Sequence, residues 1–112
     1  MIVKIAGMPY TVIGVHGSKA VSHEVSGNNL YGEISYLNSS IRIDVDNTIE
    51  RTNQTFWHEV IHGMIEGYRI RELMDKQGNH LEHPIDQLAT GIFNVLNDNF
   101  QIKVITHEDI LK

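Results

Sequence analysis

The sequence predicts an α+β domain in which a small, mostly antiparallel sheet packs on two principal helices, and three observations carry that expectation. Residues 41–46, IRIDVD, alternate apolar with polar side chains, as a half-buried strand does. Trp57, Val60, Ile61, Met64, Ile65 and Tyr68 follow the i, i+3, i+4 spacing of an amphipathic helix. Ile85, Leu88, Ala89, Ile92, Phe93 and Leu96 repeat that spacing further on.

The elements follow in chain order. IVKI (2–5) and YTVIGV (10–15) are short β-prone runs, and Gly7-Met8-Pro9 between them is a turn signal, so the pair reads as a hairpin or as neighbouring strands. Residues 16–30 are rich in Gly, Ser, Asn and His with weak periodicity, and read as a loop. After the strand at 41–46, NTIERTNQ offers Thr52 or Asn53 as the N-cap of the first long helix, with Gly78 as a stop signal beyond it. The second helix spans about residues 82–96, with Pro84 in its first turn, and NDNF ends it. QIKVI (101–105) fits either a last strand or an extended tail.

Composition narrows the function classes. With 112 residues, 41% hydrophobic and 21% charged, the chain suits a single globular domain over residues 1–112. A formal charge of −5 and the lack of any Lys/Arg run argue against nucleic-acid partners or an anionic membrane surface. No cysteine is present, so disulfides, thiolate ligands and cysteine nucleophiles are all excluded, and any metal must be held by nitrogen and oxygen. The opening MIVKIAG does not read as a signal peptide, and no apolar run reaches the roughly 20 residues of a membrane span, so a cytoplasmic location is expected.

The chemistry concentrates in TFWHEVIHGM, residues 55–64, where His58, Glu59 and His62 form the pattern HExxH. Residues four apart on a helix share a face, so two imidazoles at 58 and 62 can grip one ion. Histidine nitrogen suits Zn²⁺, and a catalytic zinc takes about three protein ligands while keeping a position for water, whose pKa falls to about 7. Glu59, about 100° around the helix axis from His58, is placed to act on that water as general base. From 7 His and 8 Glu in 112 residues, chance supplies about 0.03 such patterns, which makes this one specific. The ordinary alternative is two histidines serving only in packing beside a solvated glutamate.

A third ligand has to come from elsewhere, and LEHPID at the start of the second helix offers Glu82, His83 and Asp86. Glu82 as ligand with Asp86 bonded to the outer nitrogen of a ligating histidine is one assignment. Asp86 or His83 as the ligand itself is another, and carboxylates that only complement the helix N-terminus are a third.

In TFWHEVIH and EHPIDQLA the chain resembles zincin metallopeptidases of the gluzincin type, in which HExxH is followed by a glutamate on a later helix. Thermolysin-like gluzincins carry Glu-x-x-x-Asp, the spacing of Glu82 and Asp86 here, and the resemblance implies that Glu82 binds zinc while Asp86 supports a histidine. ImmA/IrrE-like peptidases have a related layout, with an acidic residue ahead of an apolar-Ala pair like Leu88-Ala89. Small zincin-like proteins of bacteria and their phages are similar in segments like LYGEISYLNSSIRID and LATGIFNVLNDN. The resemblance covers about residues 30–99. It implies one zinc ion and hydrolysis of a protein or peptide substrate.

Two departures stand out. The chain has no extra domain to wall the cleft, and no residue matches the donor that polarises the scissile carbonyl; Tyr31, Tyr36, Tyr68, His80 and His107 are the candidates. The strand at 41–45 could offer its edge to an extended peptide, although an internal strand would show the same alternation. A zinc-binding regulatory or interaction module with little hydrolase activity is the competing expectation, as is a zinc hydrolase acting on another amide or ester.

Overall fold

The computed structural model describes residues 1–17, 31–100 and 105–111. Most of the predicted loop at 16–30 and of the segment at 101–105 lies outside them. Four strands, β1 (Ile2–Ile5), β2 (Met8–Val15), β3 (Gly32–Ser35) and β4 (Ser40–Asp44), precede two long helices, α1 (Ile49–Tyr68) and α2 (Glu82–Asn99), and a short helix α3 (His107–Ile110). The α+β class is as expected from the sequence.

The sheet order is β1-β2-β4-β3. Two of its pairings, β1 with β2 and β3 with β4, are antiparallel, while β2 and β4 run parallel, so the sheet is mixed. β1 and β2 form a hairpin closed by Ala6 and Gly7, both at positive φ, the backbone of a two-residue turn that matches strand twist. β2 therefore starts at Met8, ahead of the run that begins at Tyr10. β4 lies between β2 and β3, so of the two readings of residues 41–45 it is the internal strand that holds. Among the described residues the edge beside it is β3, a strand that the sequence reading missed.

α1 is the central element. On one side Phe56 and Val60 join Ile5, Tyr10, Val12, Ile41, Ile43 and Val45 of the strands and strand ends, with Ile105 and Ile110 from the C-terminal segment. On the other, Ile61 and Ile65 pack with Ile85 and Ala89 of α2, and Trp57 touches both clusters. Close contact with the sheet depends on Gly63, where an added Cβ would stand 3.0 Å from Ile5 Cδ1. Because α1 is covered on two sides, its buried residues extend well beyond the predicted stripe, to Thr52, Asn53, Thr55, Glu59 and His62. Met64 and Tyr68, by contrast, are exposed at the helix surface.

α1 begins three residues before Thr52, capped by Thr48, whose hydroxyl accepts from the Arg51 N–H at 3.1 Å. Thr52 and Asn53 are not caps but buried anchors for the C-terminal segment. Asn53 donates to the Ile105 carbonyl at 2.9 Å and accepts from its N–H at 2.9 Å, and Thr52 Oγ1 meets His107 Nε2 at 2.9 Å. The helix ends earlier than Gly78, with Arg69 in the left-handed region as its C-cap. A 3₁₀ turn (Arg71–Leu73) and a tight hairpin over 74–80 then lead into α2, which runs three residues past Leu96.

Candidate metal centre

The pattern HExxH sits in the middle of α1, and α2 enters so that its first turn faces the motif. His58 Nε2 lies 3.1 Å from His62 Nε2 and 3.0 Å from Glu82 Oε2. His62 Nε2 lies 3.1 Å from Glu82 Oε1. Among the described residues these three form a group that could hold a metal ion. His83 is exposed in the first turn of α2 and lies outside the group.

Asp86, one turn after Glu82, approaches His58 from behind: His58 Nδ1 donates to Asp86 Oδ1 at 2.6 Å. That bond fixes the ring with Nε2 facing His62 and Glu82. His62 is held from a different direction, with its Nδ1 2.6 Å from His80 Nδ1, and His80 Nε2 donates to Glu66 Oε1 at 2.8 Å. The sequence offers His80 only as a carbonyl donor; in the fold it stands behind a motif histidine. The hairpin that carries it brings together residues 18 apart, a juxtaposition with no periodic signal in the sequence.

Electrostatics bind the group together. Burial works against a charge on His58, but the hydrogen bond to Glu82 and the negative charges of Glu59, Asp86 and Glu82 outweigh it and lift His58 to about 9. The same bonds from His58 and His62 hold the Glu82 carboxyl well below the usual carboxylate range. Glu59 behaves in the opposite way: burial pushes its carboxyl up, only partly opposed by His58 and His62. It is 5% exposed and its Oε2 has no hydrogen-bond partner. A buried orphan acceptor costs about 1–3 kcal/mol, so its position beside two imidazoles calls for a function.

Glu59 is also roofed by β3. A Cβ at Gly32 would stand 2.5 Å from Thr55 Cγ2 and 3.5 Å from Glu59 Cγ, so the strand passes over the helix here because residue 32 has no side chain. Of the tyrosines considered as donors, Tyr36 just beyond β3 reaches the motif, its hydroxyl donating to the His62 carbonyl at 3.3 Å. Burial pushes this phenol up, with the charges of Glu66 and Glu59 adding to the effect. Tyr31 lies under the Arg51 guanidinium at 4.8 Å, Tyr68 is exposed, and His107 is engaged with Thr52. No helix among the described residues is long and apolar enough to cross a membrane.

No protein-family model, curated protein or solved structure matches the chain. The residues and their geometry therefore carry the functional reading alone.

Proposed function

We propose that the protein is a zinc-dependent peptidase of zincin-like design, with His58, His62 and Glu82 as metal ligands and Glu59 as general base. The donor separations support zinc. Ligand atoms 2.0–2.1 Å from a tetrahedral ion stand roughly 3.3 Å apart, and the separations among His58 Nε2, His62 Nε2 and Glu82 Oε2 are 3.0–3.3 Å. A zinc ion held there would supply a Lewis acid and acidify a water to a pKa of about 7.

The observation that carries the catalytic reading is Glu59, buried with Oε2 unpartnered beside the ligand group. A site that only binds metal has no use for such a carboxylate. Its upward shift brings its basicity nearer to neutral pH, where a general base works best. Glu59 accepts the proton of the attacking water and returns it to the leaving amine as the peptide bond breaks. Asp86 keeps the His58 ring in place throughout. The substrate backbone pairs with the edge of β3, the strand that passes beside Glu59, by β-strand addition.

Glu59→Gln tests this reading. The variant is expected to retain one zinc per chain and lose peptide hydrolysis by at least about 100-fold, the usual contribution of a general base. Undiminished turnover in a peptide panel would remove Glu59 from the mechanism. Zinc binding with no chelator-sensitive hydrolysis by the unaltered protein would favour the binding-module reading instead.

A further inference from the structure

We propose that His80 is a positioning residue for the metal centre, holding His62 in the tautomer and orientation that keep its Nε2 lone pair facing His58 and Glu82. This rests on reading His58, His62 and Glu82 as metal ligands, but not on the reaction that follows.

The argument starts at the far end of the chain of contacts. A carboxylate only accepts hydrogen bonds, so the 2.8 Å contact with Glu66 Oε1 places a proton on His80 Nε2. In a neutral ring His80 Nδ1 is then an acceptor. Its 2.6 Å partner, His62 Nδ1, must carry the proton between them. In the neutral ring that a metal ligand must be, His62 Nε2 is left as the lone pair, at the atom that lies 3.1 Å from both His58 Nε2 and Glu82 Oε1; without metal that atom donates to the Glu82 carboxylate. Glu66 thereby dictates the tautomer of a residue one helical turn before it, through an intermediate imidazole.

The geometry around His80 is built to hold this arrangement. Its ring is nearly coplanar with that of His62, 17° between planes and 4.9 Å between centroids, so the two Nδ1 atoms meet edge to edge, and its side chain is 10% exposed. The hairpin that delivers it is tied by the bridge between Met74 and His80 and by the bond from Leu81 N to Leu73 O at 2.9 Å. Inside the loop, Asp75 Oδ1 accepts from the N–H groups of Gln77 and Asn79, both at 2.9 Å, and Gly78 adopts positive φ. A surface loop serving only to connect two helices needs none of this at its last residue. The two motif histidines are thus oriented independently, His58 by α2 through Asp86 and His62 by the hairpin and α1 through His80 and Glu66.

Two variants separate orientation from packing. His80→Phe keeps an aromatic ring at the position but offers no acceptor, whereas His80→Gln keeps an acceptor for His62 and a donor for Glu66. With zinc alone as ligand and a competing chelator as reference, His80→Phe is expected to bind about 10–100-fold more weakly, and His80→Gln to recover to within about threefold of the parent. In the unaltered zinc-loaded protein, ¹⁵N NMR is expected to show protons on His62 Nδ1 and His80 Nε2. Parental affinity in His80→Phe, or a proton on His80 Nδ1 instead of Nε2, overturns the proposal. If His80→Phe fails to fold, Glu66→Leu makes the same affinity test without touching the ring at position 80, and the NMR assignment needs no variant. Zinc bound with these tautomers but without peptide hydrolysis would uphold this inference and refute the proposed function.

Discussion

Asp86 and His58 sit on different helices, yet Asp86 Oδ1 and His58 Nδ1 are 2.6 Å apart, so α2 contributes both a candidate ligand and the group that aims another. Glu82 and Asp86 are therefore distinguishable by their losses. Glu82→Ala removes a proposed ligand and is expected to strip zinc during dialysis. Asp86→Ala leaves the three proposed ligands and is expected to lower affinity by about 10–100-fold while zinc remains bound at saturation. Zinc content after each substitution decides it, and loss of zinc from the Asp86 variant alone would reverse the assignment.

Protons compete with metal at His58, which sits at about 9 in the metal-free protein. Below that pH the ring must release a proton before zinc binds, so affinity is expected to rise about tenfold per pH unit from pH 7 to 9. The metal-free fold should show the matching dependence. The folded value for His58 is raised from 6.5, so its contribution is complete below pH 6.5 and lost as pH rises through about 9. Glu82 is depressed from 4.5, so its contribution is present above pH 4.5 and lost as pH falls further. Thermal melts of the metal-free protein should thus show greatest stabilisation from this pair between pH 4.5 and 6.5. A Tm that climbs steadily to pH 9 would contradict it.

The orphan oxygen of Glu59 predicts a trade between stability and activity. Glu59→Gln removes the charge-burial penalty while keeping the shape, and should stabilise the metal-free fold by about 1 kcal/mol at pH 7. Denaturant titration reads this directly, and a destabilised Gln variant would mean that the carboxylate is paired in solution.

Two glycines should respond oppositely to alanine. At Gly32 the new Cβ meets Thr55 Cγ2 at 2.5 Å and the Arg42 carbonyl at 3.1 Å, so Gly32→Ala should destabilise by about 1–3 kcal/mol and weaken hydrolysis by moving β3. At Gly91, inside α2, nothing lies within 4 Å, and Gly91→Ala should stabilise by roughly 0.5–1 kcal/mol. Equal effects would show that the strand yields freely above the helix.

What the sequence revealed follows from which interactions are local. The helix bearing His58, Glu59 and His62 and the first turn with Glu82 and Asp86 declare themselves by 3.6-residue spacing. Thr52 and Asn53 look like caps because polar residues ahead of an apolar stripe usually are; they are buried because Ile105 and His107, more than fifty residues away, satisfy them. β3 escaped notice because GEIS holds one strongly β-prone residue, and its Gly32 is there for clearance above Thr55. THED was legible in principle: Thr106 and Asp109 form a capping box for α3.

The two-sided burial of α1 has a consequence for how the centre comes apart. α2 buries only Ile85, Ala89 and Phe93, so it is the more weakly docked of the long helices, and it carries Glu82 and Asp86. An ion held between the helices would act as a clasp across the lesser of the two hydrophobic clusters. Local opening of α2 would dismantle the centre while the sheet and α1 stay folded, so added zinc is expected to slow amide exchange in α2 far more than in the strands.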